Sequence, residues 1–131
     1  MPLLTATKVR RTEANTTKRF RELERILEEM GESIAAEADR LRDSYDSIAA
    51  TAAFPLDSMD NGDTSPWLAN QARILGASLV WHADRLASLR QQARFVETAK
   101  GALAILIAQE TRAFTAASRM HGRCDGAAWT A

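Results

Sequence analysis

The chain has 131 residues, 46% hydrophobic and 26% charged, and its 17 basic side chains equal its 17 acidic ones. That length fits a single domain, the apolar content is too high for a disordered chain, and one cysteine, Cys124, excludes an internal disulfide framework. Aromatic content of 6% and three prolines are lean for an all-β domain, whereas 25 alanines and 14 arginines favour helix.

Residues 1–12 are basic and threonine-rich and read as a flexible basic arm. Met1-Pro2-Leu3-Leu4-Thr5 lacks the charged segment and apolar stretch of a secretory signal, and Glu13, Glu22 and Glu24 speak against a transit peptide. Lys8, Arg10, Arg11, Lys18, Arg19 and Arg21 form the basic cluster through which nucleic acid or an acidic surface could be bound. Only Phe20 among them offers a stacking ring, so the cluster is a secondary reading.

A first helix is predicted over about 13–53. Phe20, Leu27, Ile34, Leu41 and Ile48 recur every seven residues, with Leu23 and Met30 three positions on and Ala38 and Tyr45 taking over one place later. That drift is what 3.6 residues per turn does to a seven-residue repeat. The phase holds across Gly31. Phe54-Pro55 is expected to stop the helix, because the residue before proline is pushed out of the α region. Residues 54–65 then form a connection rich in turn residues, with Asn61-Gly62 the strongest turn dipeptide. Ser65-Pro66 supplies a capping hydroxyl and a proline suited to the first helical position.

The second helix is predicted over about 66–119. One apolar line is Leu68, Leu75, His82, Leu89, Val96 and Leu103; its neighbour is Ala72, Leu79, Leu86, Ala93, Lys100, Ile107 and Phe114. Ala102 to Ala108 is apolar on all sides and has to be surrounded by something. It is also the longest apolar run, far short of the roughly 20 residues that cross a bilayer. A cytoplasmic location without a membrane is therefore expected. Residues 120–131 read as a flexible tail.

The expected fold is all-α: a long antiparallel helical hairpin. A helix of about 41 residues would span on the order of 60 Å, against roughly 35 Å for a compact domain of this size. A lone hairpin leaves residues such as Trp81 and Ile105 exposed, so pairing of two copies into a four-helix bundle is expected. The alternative is a monomeric three-helix bundle broken near Gly101. Trp67 is expected to pack over the connection.

Charge is unevenly spread. Residues 1–27 carry +4, residues 28–63 carry −8 and residues 64–131 carry +4. The acidic stretch would lie beside Arg73, Arg85, Arg90 and Arg94, matching charge between the helices.

Three sets of residues could carry chemistry. His82, in Trp81-His82-Ala83-Asp84, could accept a phosphoryl group, but it lies on the apolar line, and a structural histidine is the simpler reading. Met120, His121 and Cys124 offer soft ligands, though three on a tail do not complete a zinc site. Neither histidine has a glutamate three residues before it, so no di-iron motif is present. No phosphate-binding loop or nucleophile elbow occurs. No cofactor, metal or enzymatic activity is expected. The leading expectation is a regulatory adaptor or chaperone acting as a homodimer on a protein partner, with Trp81, Leu103, Ile105, Leu106 and Ile107 as dimer or partner contacts.

Overall fold

The computed structural model describes residues 2–127, with side chains described at position 8 and over 10–120. Among these residues the secondary structure is two helices: α1, Pro2–Asp60, and α2, Pro66–Ala127. The all-α expectation is met, and no strand occurs among the described residues.

The helices are longer than the sequence rules allow. α1 begins at Pro2, not near 13. Proline suits a first helical turn, which lacks intrahelical partners for its amides anyway. The threonines fit inside because their hydroxyls bond back along the helix: Thr12 Oγ1 donates to the Lys8 carbonyl and Thr16 Oγ1 to the Thr12 carbonyl, both at 2.9 Å. Lys8, Arg10 and Arg11 thus lie on a helix, where a flexible arm was expected.

α1 also continues past Pro55. An interior proline removes one hydrogen bond and normally costs about 3 kcal/mol. Here Pro55 is buried, as is Ala52 one turn earlier, so packing offsets part of that cost. The true stop is Gly62, whose φ is +93°. Its N–H donates to the Met59 carbonyl and the Asp63 N–H donates to the Ser58 carbonyl, each at 3.1 Å. That nested pair closes the helix end around a left-handed residue, where glycine carries no side-chain penalty.

The entry to α2 follows at once. Asp63 Oδ1 accepts from the Ser65 N–H at 3.0 Å, and the Ser65 carbonyl accepts from the Ala69 N–H at 3.2 Å. Ser65 therefore stands at the capping position and Pro66 at the first helical position, as expected. α2 then runs unbroken through Gly76 and Gly101 to Ala127. The three-helix alternative is thereby overturned. Gly101 costs roughly 1 kcal/mol in a helix, which is too little to break one without a turn sequence beside it. The second helix likewise extends beyond 119, to Ala127.

Contacts group the residues into two units. One unit is Glu29–Val96: the later part of α1, the turn, and the earlier part of α2, packed antiparallel. Its core contains Ala52, Leu68, Leu86, Leu89 and Val96. Leu89 and Val96 are the most completely enclosed, at 1% exposure. Gly31 faces Val96, whose Cγ1 lies 3.7 Å from where a Cβ would stand, an ordinary contact distance. The other unit joins residues up to Glu28 with residues from Glu97 onward, and buries Leu27 and Leu103. In it Thr16, Phe20, Ile107 and Phe114 line a shared groove.

The seven-residue line on α1 is enclosed in part. Leu27 is buried, while Phe20, Ile34, Leu41 and Ile48 are half-buried. The intermediate positions Leu23 and Met30 are exposed, at 45% and 44%, and Gly31, Ala38, Tyr45 and Ala52 turn inward instead. The drift begins one heptad earlier than the sequence suggested, at Gly31.

Candidate protein-interaction surface

The residues expected to form an interface divide into two groups. Leu103 is buried and Ile107 half-buried, so both serve the packing of α2 against α1. Trp81, Ile105 and Leu106 are exposed. The chain alone therefore encloses two of the five and leaves three facing outward. The all-round apolar run at Ala102 to Ala108 is enclosed only on the Leu103 and Ile107 side.

Further large apolar side chains are exposed in the Glu29–Val96 unit: Met30, Phe54, Leu56, Met59, Trp67, Ile74, Val80 and Phe95. Trp67 stands exposed on the first turn of α2, correcting the expectation that it covers the connection. Leu68, next to it on the same turn, is the residue on the inward line and is buried, so Trp67 points away from the packing of the two helices. An apolar groove beside Phe95 is lined by Met30, Ile34, Gln91, Gln92 and Val96. Sequence reasoning missed Phe95 and Ile74 because they fall outside the inward-facing lines. The signal that finds them is a third period-seven row, Trp67, Ile74, Trp81, Ser88 and Phe95.

The charge blocks meet across the helices in specific pairs. Arg85 holds Glu37 Oε1 through Nη2 at 2.7 Å and Nε at 3.0 Å, both side chains half-exposed. In the other unit Lys100 Nζ lies 2.9 Å from Glu28 Oε2 and 3.6 Å from Glu97 Oε1. The hydrogen bond to Glu28 holds the Lys100 ammonium above its ordinary pKa. Arg73 turns instead to Asn70 on its own helix, at 2.9 Å.

His82 is half-buried. Its Nδ1 lies 2.7 Å from the Ser78 carbonyl, so that nitrogen carries the proton, because a carbonyl can only accept. The ring meets Trp81 edge-on, with centroids 5.0 Å apart. This clasp suits a structural side chain.

The basic residues Lys8, Arg10, Arg11, Lys18, Arg19 and Arg21 are all exposed on α1. Acids lie among them: Glu22 pairs with Arg25, whose hydrogen bond holds the Glu22 carboxyl below its ordinary pKa. Met120 is exposed, while the side chains of His121 and Cys124, and all of Trp129, lie outside the described residues. Among the described residues no three His, Cys, Asp or Glu groups are placed to hold a metal ion, and no helix is long and apolar enough to cross a membrane. Compared with known proteins, the chain matches no family model, no curated protein and no solved structure.

Proposed function

We propose that the protein is a non-enzymatic interaction module, an adaptor, chaperone or regulator, that works as a helical homodimer. The observation that carries this reading is the set of large apolar side chains left exposed, above all Trp81, with Ile105 and Leu106 on the same helix. Tryptophan is enriched among residues that dominate binding energy, and contiguous exposed apolar surface marks interaction sites. A two-helix hairpin has no third layer with which to cover such residues, so a second chain supplies it. Light scattering on the full chain tests the reading. A mass twice that of the 14.4 kDa chain at micromolar concentration is expected. A single-chain mass persisting to about 100 μM, a concentration at which even a weak complex of micromolar Kd would be populated, would sink the homodimer.

A further inference from the structure

The outward row on α2 carries evenly spaced aromatic side chains, which the inward rows do not. Trp67, Ile74, Trp81, Ser88 and Phe95 repeat every seven residues on one face, within the Glu29–Val96 unit. Trp67 is 65% exposed, Ile74 50%, Trp81 59% and Phe95 69%, while Ser88 is half-buried. The aromatic members are evenly spaced about Trp81, two heptads away on either side. Turned end for end about Trp81, aromatic positions fall on aromatic positions, while Ile74 and Ser88 exchange places.

An isologous interface can be built on such a row, because residue i of one copy meets residue j of the other, and j meets i. We propose that two copies pair through α2 in antiparallel fashion around a two-fold axis at Trp81. This inference rests on the homodimer reading above and specifies its surface. Trp81 then meets its own counterpart, Trp67 meets Phe95 of the second copy, and Ile74 meets Ser88, large against small.

Three further observations favour a second copy as the occupant. The first is area. Each aromatic ring carries about 200 Å², of which about two-thirds is exposed here, giving roughly 400 Å² per chain and roughly 800 Å² for the pair. Ile74 and the flanking amides carry the total past the roughly 1,000 Å² that a specific interface clears.

The second is shape. The groove lined by Met30, Ile34, Gln92 and Phe95 is apolar and stands where Trp67 of the second copy arrives. An indole from outside would fill it.

The third is charge. Beside the row lie Asn70, Gln71, Ala77, Ser78, Gln91 and Gln92, and the charged exceptions are Asp84 and Arg85. Arg85 is engaged by Glu37. In the proposed register Asp84 meets Ser78 and Arg85 meets Ala77, so no like charges are forced together. Charge depletion at the centre with aromatic enrichment is the composition of an interface core. The overlap ends where residue 96 meets residue 66, at the start of α2. Ile105 and Leu106 fall outside it.

The test uses the full chain. Trp81→Asp and Trp67→Asp should each weaken dimerisation at least ~30-fold, the loss expected at an interface hot spot. Helicity by circular dichroism should be retained, since both side chains are exposed. Ile105→Asp should leave the dimer unchanged. A wild-type dimer that survives Trp81→Asp would overturn the α2 surface while leaving the homodimer intact. A wild-type monomer at about 100 μM would overturn both, as would capture of the row by an unrelated helix only.

The register is read separately from spin labels on cysteines introduced in a Cys124→Ser background. At a rise of 1.5 Å per residue, labels at Ser78 are offset by about 9 Å along the axis and labels at Asn70 by about 33 Å. A long distance for Asn70 beside a short one for Ser78 supports the antiparallel register. Equal short distances at both would mean parallel pairing and overturn it.

Discussion

Two glycines of this chain have opposite demands placed on them. Gly31 lies in an ordinary helical conformation, and a Cβ there would meet Val96 Cγ1 at 3.7 Å, a normal contact distance. Gly31→Ala should therefore stabilise the protein by about 0.5–1 kcal/mol, mostly through helix propensity. Gly62 has φ +93°, where an L side chain is strained even in open space. Gly62→Ala should destabilise by about 1 kcal/mol. Urea unfolding of the two variants should move the midpoint in opposite directions. Leu89 is the sharpest test of the core. It is 1% exposed, and Leu89→Ala should cost about 2–4 kcal/mol. A loss under ~0.5 kcal/mol, the range expected of surface positions, would mean that the packing around Leu89 is not what holds this unit together.

At the level of elements, the helices hold each other by apolar rows and by ion pairs. Glu37 with Arg85 bridges the helices in one unit, and Glu28 with Lys100 does so in the other. Both involve half-exposed or exposed groups, so salt and water weaken them. A double-mutant cycle on Glu37→Ala and Arg85→Ala should give a coupling of about 0.5 kcal/mol that shrinks in high salt. Lys100 sets a pH signature. Its pKa is raised by Glu28, so its contribution is fully present below the ordinary lysine value of 10.5 and is lost as pH rises through the higher folded value. Alkaline unfolding should show this loss in the wild type and not in Lys100→Met. Much of this level was legible in the sequence. The two helices, the Asn61-Gly62 turn and the Ser65-Pro66 start follow from period and from turn chemistry. The helix ends were less legible. Pro55 stays inside α1 because its ring is buried, which sequence does not display, and the threonines near the start find bonds only once the helix exists. The exposed row on α2 was hidden for a different reason. Its residues are apolar but sit outside the lines that face α1, and a pattern search for one buried stripe passes over them.

For the molecule as a whole, the Gly62 turn decides more than where one helix ends. Contacts next to the turn join residues close in sequence, whereas Glu37 and Arg85 are already 48 residues apart and Glu28 and Lys100 farther still. Closing a longer loop costs more entropy. The cheapest first contacts therefore form beside the turn, and the helices should zip together outward from it. Folding speed is then governed at one end of the pairing and unfolding speed at the other. In stopped-flow experiments Gly62→Ala should slow refolding and leave unfolding nearly unchanged. Leu103→Ala, far from the turn in sequence, should accelerate unfolding and spare the refolding rate. A nested pair of backbone hydrogen bonds around one left-handed glycine thus acts as the clock of assembly, a role that its small share of the stability would not suggest.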